Sequence, residues 1–313
     1  MRGAAGVDND CQFRDALEVV QGELCAHLGR GRCPPLQFWA FTFNTRRKAL
    51  SPVPRHQNRD ALVILLETTV SGWTIFGSEF LGTAILLLLG VGVVANNLLP
   101  ASKGGGTGFL HINWGWGIAV LAGVYAAYKS GAHLNPAVTV GLLVAGKDYA
   151  TGVAPTFGHT LIYFAGELSG AMFGAFLAWL AYKQHYDADC DPALKLGTFS
   201  TGPALRSYGW NLVTEAIATF VLVIWVLLAG YSPSGLGPLG VALVVVGIGA
   251  SLGGPTGYAI NPARDLGPRI VHALVPIKGK GGSDWSYSWV PVVGPILGAV
   301  VAGVVYRVFW PVA

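Results

Sequence analysis

The sequence has few charged residues for its length. Only 12% of its 313 residues are Asp, Glu, Lys or Arg, whereas soluble domains carry about a quarter. Sixteen of the 36 charges lie in residues 1–67, so very few remain for the rest of the chain. Apolar residues make up 52% of the total. This distribution excludes a water-soluble globule after residue 67 and predicts a membrane protein.

Other features are scarce as well. The cysteines Cys11, Cys25, Cys33 and Cys190 lack metal-ligand spacing, so we expect neither a metal site nor a disulfide framework. A net charge of +4 without a dense basic stripe argues against a nucleic-acid partner. The first 30 residues lack the apolar core of a cleavable signal peptide. We find no nucleophile–base pair and no phosphate-binding loop, so we expect no enzyme and no cofactor.

The N-terminal part differs from the rest in composition. Residues 15–28 are weakly amphipathic, and residues 30–59 are rich in Pro and Arg. We expect residues 1–70 to form a disordered extension, because they contain no apolar core to fold around. A cytoplasmic regulatory segment and a translation start further along the chain are alternatives that the sequence leaves open.

Residues 71–313 contain six apolar segments long enough, at about 20 residues, to cross a bilayer. They are residues 75–99, 112–128, 156–182, 210–231, 236–252 and 289–310. Two shorter apolar segments, residues 136–145 and 262–275, are about half a bilayer long. The sequence therefore predicts an all-α membrane protein with six transmembrane helices and two re-entrant half-helices.

Charged residues between the segments indicate the orientation. The basic residues that would share one side are Arg46, Arg47, Lys48, Arg55, Arg59, Lys129, Lys147 and Arg307. The connection between the third and fourth segments carries three aspartates and would lie opposite. The positive-inside rule then places both termini in the cytoplasm, which agrees with an even number of crossings because such a number puts both termini on one side. We expect a multi-pass protein of the plasma (inner) membrane.

Both half-length segments begin with the same motif. Residues 130–141 are similar to residues 256–267, and each stretch contains Asn-Pro-Ala. The triplets are Asn135, Pro136 and Ala137, and Asn261, Pro262 and Ala263. We divide the domain into repeat one, residues 71–183, and repeat two, residues 205–310. Each repeat has three crossings, so the second enters the membrane inverted, and inverted repeats place the functional site where they meet.

Asn followed by Pro is well suited to start a half-helix. Proline is favoured in the first turn, and asparagine caps the helix through its side-chain oxygen, which would leave its NH₂ group free. Two such starts facing each other bring together two amide donors and two positive dipole ends. A water or alcohol oxygen can accept hydrogen bonds there, whereas a cation meets a barrier.

One acid precedes each motif in an apolar segment, Glu79 in the first repeat and Glu215 in the second. A proton relay is one interpretation. Their matched positions favour another, in which each carboxylate braces the exposed loop backbone of its repeat, because intramembrane acids are normally hydrogen-bonded or paired.

With these motifs, residues 76–309 resemble the major intrinsic proteins, the family of aquaporins and glycerol facilitators. The most specific pieces are residues 130–139, 197–201 and 257–269. Asp265 directly after Arg264, and the long connection over residues 183–207, are similar to the glycerol-facilitator (aquaglyceroporin) branch. The resemblance implies the aquaporin-like fold and a homotetramer with one pore per subunit.

The resemblance also implies a selectivity filter of four residues. Arg264 matches the filter arginine, Tyr258 an aromatic position, and Gly249 the small residue that replaces the histidine of water-selective channels. The filter tryptophan is Trp116 by its spacing to residues that follow, with Trp114 as the alternative. Two aromatic rings would contact the carbons of a polyol while Arg264 binds its hydroxyls. The hydroxyl of Tyr258 would narrow the filter or make it more polar.

Further residue roles come from the same resemblance. His133 would line the pore, and Asp265 would hold its loop and Arg269 through an ion pair. Glu167 stands where the family commonly has Gln, and nothing in the sequence explains this change.

The function that the resemblance implies is a passive channel for glycerol, small polyols, urea and some water. It would exclude ions and protons and lie in membrane lipid. A water-selective pore is the nearest alternative. A secondary active transporter is another, but it would need a coupling-ion site, and the acids near the candidate pore are the two bracing glutamates.

Overall fold

The computed structural model describes residues 70–310, so the predicted extension over residues 1–70 lies outside the described residues except for its last residue. This part of the chain forms ten α-helices and contains no β-strand. The helices are α1 (Gly72–Leu98), α2 (Phe109–Ala126), α3 (Pro136–Ala145), α4 (Phe157–Ala181), α5 (Lys183–Asp187), α6 (Pro192–Phe199), α7 (Tyr208–Leu228), α8 (Pro238–Leu252), α9 (Pro262–Leu274) and α10 (Val290–Phe309). Short 3-10 turns occupy Tyr128–Ser130 and Ala229–Tyr231.

Five helices, α1, α2, α4, α7 and α10, are long and apolar enough to cross a membrane. The fifth predicted segment, residues 236–252, forms α8, a helix of 15 residues that begins only at Pro238. Gly237 before it has a left-handed φ of 51°, and the ring of Pro238 disfavours helical backbone at the residue that precedes it. At 1.5 Å per residue α8 rises about 22 Å. It is therefore shorter than predicted, and an irregular loop follows it.

The two half-length segments form α3 and α9, as predicted. Each half-helix packs against a long helix of the other repeat, α3 on α10 and α9 on α4. Within the repeats, α1 packs on α4 and α7 packs on α10, while α2 and α8 contact each other across the repeat boundary. The two repeats therefore share one core.

The connection between the repeats contains two helices that counting apolar segments did not predict. The longer, α6, begins at Pro192, and the side chain of Asp191 accepts the N–H of Ala193 at 2.9 Å. Asp followed by Pro is a recognised helix start. This signal was present in the sequence.

Close helix crossings depend on glycine. A Cβ atom at Gly174 of α4 would lie 2.2 Å from the carbonyl oxygen of Ala84 in α1. The equivalent position in the second repeat is Gly298 of α10, where a Cβ atom would lie 2.2 Å from the oxygen of Ala216 in α7. The backbones approach so closely that only hydrogen fits between them, as in other membrane helix pairs.

We predict that Gly174→Ala lowers the thermal stability of the protein in detergent. The added methyl group overpacks the α1–α4 crossing, at a cost of about 1–3 kcal/mol, which exceeds the gain in helix propensity of up to about 1 kcal/mol. Gly92→Ala in α1 is the matched control, because nothing in residues 70–310 lies within 4 Å of a Cβ at that position. Equal melting temperatures of the two variants would contradict the prediction.

Candidate functional site

Two irregular loops precede the half-helices. Residues 131–134 lead into α3 and residues 257–260 into α9. Each loop has two non-glycine residues with left-handed φ angles, 55° at Ala132 and 54° at Leu134, and 40° at Tyr258 and 45° at Ile260. Such conformations cost about 1–3 kcal/mol per residue. The loops therefore need hydrogen bonds that hold them in place.

One buried glutamate holds each loop. Each carboxylate accepts one hydroxyl and two backbone N–H groups from its own repeat. The donors to Glu79 are Ser130 Oγ (2.5 Å), His133 N (3.1 Å) and Leu134 N (2.7 Å). The donors to Glu215 are Thr256 Oγ1 (2.6 Å), Ala259 N (3.0 Å) and Ile260 N (2.9 Å). The two repeats thus have equivalent sets of hydrogen bonds, consistent with bracing.

The asparagines of the two motifs cap the half-helices. Asn135 Oδ1 accepts the N–H of Ala137 at 2.9 Å, and Asn261 Oδ1 accepts the N–H of Ala263 at 3.0 Å. Proline occupies the first turn of each half-helix. The N-terminal ends of α3 and α9 therefore have the geometry that the motif indicates.

The asparagine NH₂ groups connect the two loops. Asn135 Nδ2 donates to the oxygen of Ile260 at 2.8 Å, and Asn261 Nδ2 donates to the oxygen of Leu134 at 2.8 Å. The expectation that these groups are free is wrong for one N–H of each. Because an amide nitrogen has two hydrogens, a second N–H remains on each side chain, without a partner in the part of the chain that the structure describes.

A cavity of about 510 Å³ runs past both loops and both asparagines. Its wall includes Trp116, Tyr258 and Arg264, with His133 on the side of the first loop. The wall also includes Asp148, which is exposed, so the cavity reaches the protein surface there.

Arg264 is the buried cation of the cavity wall, with only 7% of its surface exposed. Its Nη1 atom donates to the oxygen of Phe199 at 3.0 Å, and its Cζ atom lies 4.0 Å from the ring centre of Trp116. A cation over an indole ring is stabilised by the ring quadrupole. Trp116 is 5% exposed, whereas Trp114 is 48% exposed. Of the two candidate tryptophans, Trp116 is the one that contacts Arg264.

Tyr258 and Gly249 lie against each other. A Cβ atom at Gly249 would lie 2.7 Å from Tyr258 Cζ and 2.7 Å from Asn113 Oδ1. The hydroxyl of Tyr258 donates to Asn113 Oδ1 at 2.8 Å. Sequence reasoning missed Asn113, whose only signal was a polar residue inside an apolar helix, three positions before Trp116.

Asp265 lies behind Arg264 in a network that is fully buried. One carboxylate oxygen accepts the N–H and the hydroxyl of Thr201 at 2.7 and 2.8 Å. Arg269 donates to both carboxylate oxygens, at 2.8 and 3.1 Å, and to the oxygen of Thr201 at 3.0 Å. Asp265 and Arg269 form an ion pair within α9, and their hydrogen bonds to Thr201 join this helix to the loop after α6.

A second ion pair lies near the first, outside the long helices. Arg206 donates to the two carboxylate oxygens of Asp284 at 3.1 and 2.6 Å. Partial burial raises the pKa of Asp284, but the hydrogen bonds from Arg206 and Ser286 outweigh it and hold the pKa below its ordinary value. The backbone oxygen of Asp284 also accepts from Arg269 at 3.1 Å. The loop before α10 is therefore tied to the same network.

His133 uses both of its ring nitrogens within the protein. Nδ1 lies 2.8 Å from Thr139 Oγ1, and Nε2 lies 3.0 Å from the oxygen of Tyr149. Glu167 on α4 reaches the same hydroxyl, with Oε1 2.8 Å from Thr139 Oγ1.

The arrangement suits a neutral polar solute. Arg264 and the two asparagines supply hydrogen-bond donors along a wall that is otherwise mostly apolar. A cation would meet the guanidinium charge and the N-terminal ends of two half-helices. No group of three or more His, Cys, Asp or Glu side chains in residues 70–310 could hold a metal ion.

Comparisons with known proteins agree with this geometry. Residues 67–306 match the model of the family described as major intrinsic protein. A glycerol uptake facilitator protein of Streptococcus pneumoniae is 49% identical over 238 residues, which cover 75% of this chain and 98% of the relative. A probable glycerol uptake facilitator protein of Thermotoga maritima is 50% identical over 237 residues, with the same shares.

A solved structure is also similar. The aquaglyceroporin of Plasmodium falciparum superimposes with a TM-score of 0.63 and 30% identity, covering 75% of this chain and 96% of the other. The predicted resemblance and the aquaporin-like, all-α membrane fold are thereby confirmed. The chain belongs to the major intrinsic protein family, on the branch that contains the glycerol uptake facilitators.

Proposed function

We propose that this protein is a passive transmembrane channel for glycerol. The observation that carries the proposal is the surface that Trp116, Tyr258 and Arg264 form on one cavity wall. Aromatic carbon on one side matches the CH groups of a polyol, and the guanidinium matches its hydroxyls. The relatives named as glycerol uptake facilitators support the same solute.

The filter of this channel consists of Trp116, Gly249, Tyr258 and Arg264. Trp116 is chosen over Trp114 because its ring lies 4.0 Å from the guanidinium carbon. Asn113 takes the Tyr258 hydroxyl hydrogen at 2.8 Å. Tyr258 therefore presents its ring to solutes much as Phe would, rather than an additional donor.

The Asn-Pro-Ala motifs form the second selective region. Each asparagine keeps one amide N–H for a passing oxygen, while its other N–H holds the opposite loop. Water and hydroxyl groups accept these bonds, and cations are repelled by the helix ends and by Arg264. Small polyols, urea and some water pass with glycerol, and ions and protons do not.

The proposed setting of the channel rests on the distribution of charged residues in the sequence and on the family resemblance. The protein lies among the lipids of the plasma (inner) membrane with both termini in the cytoplasm. It forms a homotetramer with one pore in each subunit. Residues 71–313 are the channel domain and residues 1–70 an extension to it.

Two alternatives are less well supported by the contacts. A water-selective pore needs a narrower opening than Gly249 leaves. A secondary transporter needs a free coupling site, and both Glu79 and Glu215 are occupied by three loop donors each. We assign no catalytic activity to the chain.

Stopped-flow light scattering of proteoliposomes tests the proposal. We expect rapid glycerol and urea entry that is linear in the gradient and independent of a proton gradient. Sucrose should be excluded, because it is too large for the filter. Empty liposomes are the control. Glycerol flux that saturates, or that follows a proton gradient, would reject a passive channel.

A substitution at Gly249 tests the filter. We expect Gly249→Ala to reduce glycerol permeability more than water permeability, because its Cβ atom would lie 2.7 Å from the Tyr258 ring and push it into the cavity. A tenfold loss requires a barrier only about 1.4 kcal/mol higher.

Gly247→Ala is the matched control for that measurement. It makes the same change in the same helix, and within residues 70–310 nothing lies within 4 Å of a Cβ there. We expect this variant to behave as the unmodified protein. A glycerol-to-water ratio that is the same in both variants would count against this filter.

A further inference from the structure

Glu167 is a buried acid with too few hydrogen bonds for an ionised carboxylate. Its exposed fraction is 0%, and its Oε2 atom has no hydrogen-bond partner among residues 70–310. Glu79, a buried acid on the adjacent α1, accepts three hydrogen bonds instead. A carboxylate away from water is costly unless several donors face it. The surroundings of Glu79 can therefore stabilise an ionised carboxylate, whereas those of Glu167 favour the protonated acid.

His133 sets the direction of the hydrogen bonds that reach Glu167. Its Nε2 atom lies 3.0 Å from the backbone oxygen of Tyr149. A carbonyl oxygen can only accept, so Nε2 must carry a hydrogen. The remaining question is whether Nδ1, 2.8 Å from Thr139 Oγ1, carries one as well.

Thr139 couples the protonation state of His133 to that of Glu167. Its hydroxyl has one hydrogen and lies close to two partners, His133 Nδ1 and Glu167 Oε1. A third contact, 3.4 Å to the oxygen of Asn135, is too long for an O–H···O bond. If His133 is neutral, Nδ1 accepts the threonine hydrogen. The threonine oxygen must then accept a hydrogen from Glu167, so Glu167 is protonated. If Glu167 is ionised, it takes the threonine hydrogen, and His133 must be a cation.

The surroundings favour the neutral state. The cationic state would bury an imidazolium ring stacked on Tyr163, 4.2 Å between ring centres, and separated from Glu167 by a hydroxyl. It would also place a second negative charge near Glu79, on a carboxylate that accepts fewer hydrogen bonds than Glu79 does. The other groups that face the pair, Tyr149 and Tyr163, are uncharged phenols. Buried charges without close partners are strongly unfavourable.

We propose that Glu167 is a neutral carboxylic acid that, through Thr139, holds His133 as a neutral imidazole with its hydrogen on Nε2. Glu167 is a positioning residue, since it acts on the cavity wall only through two other side chains. With both nitrogens engaged, His133 offers the cavity neither a free N–H nor a charge. The first loop then presents its backbone to solutes, and Arg264 remains the buried charge of the wall.

Spectroscopy of the protein in lipid at neutral pH tests the protonation states directly. With ¹⁵N-labelled histidine, we expect the His133 signals of an unprotonated Nδ1 and a protonated Nε2, identified by their loss in His133→Gln. In the infrared, the carbonyl stretch of a protonated acid should disappear in Glu167→Gln. An imidazolium signal at His133, or a protonated-acid carbonyl region that is unchanged in Glu167→Gln, would overturn the proposal.

Permeability supplies a second readout, which rests on the proposed glycerol channel. Glu167→Gln should retain glycerol permeability, because an amide N–H can donate to Thr139 as the acid does. Thr139→Val should lose permeability severalfold relative to Thr139→Ser, which keeps the hydroxyl. Loss in Glu167→Gln as large as in Thr139→Val would overturn the positioning role. Absence of glycerol flux in the unmodified protein would instead reject the channel, while the spectra still decide the protonation of Glu167.

Discussion

The hydrogen bonds from two strained loops to Glu79 and Glu215 are the contacts on which the rest of the site depends. Backbone that leaves a helix at membrane depth has no water to bond with, so its N–H groups need partners inside the protein. A carboxylate meets this need efficiently, because its two oxygens accept three donors at once. The N–H groups of each loop then point into the protein toward a carboxylate. These hydrogen bonds offset the cost of the left-handed conformations in the loop. Each loop needs a buried hydrogen-bond acceptor, which explains why each repeat has one such acid at an equivalent position.

The asparagines turn two braced loops into one site. Each Nδ2 atom donates to a carbonyl of the opposite loop, at 2.8 Å in both directions. Each half-helix also packs on a long helix of the other repeat, α3 on α10 and α9 on α4. Neither repeat can therefore build its share of the cavity wall alone. An asparagine at these positions has three tasks: its oxygen caps a helix, one N–H joins the loops, and the other N–H is left for the cavity. Aspartate lacks the N–H groups, and serine is too short to reach the carbonyl of the opposite loop.

Much of this could be predicted from the sequence, because the signals are local or repeated. The half-helices follow from Asn-Pro at the start of short apolar segments, and the matched positions of Glu79 and Glu215 indicated their common role. The shorter α8 was missed because composition does not reveal that the chain turns at Gly237. Asn113 and the chain from Glu167 to His133 were missed for a different reason. Their partners are far apart in sequence, 145 positions between Tyr258 and Asn113 and 28 between Thr139 and Glu167, and no periodicity predicts such contacts.

The buried acids can be ordered by the donors that surround them, and the order explains how charge is distributed around the cavity. Asp265 is paired with Arg269 and bonded to Thr201, so its charge is neutralised behind the wall. Glu79 and Glu215 have three donors each and face the loops rather than the cavity. Glu167 has one side-chain hydrogen-bond partner, Thr139, among residues 70–310, and a proton is what allows it to remain buried. Arg264 is different from all of them, because its contacts are a carbonyl oxygen and an indole ring rather than a carboxylate. Its charge is left largely uncompensated at the cavity wall, where a solute with hydroxyl groups can take the place of the missing partner and a cation cannot.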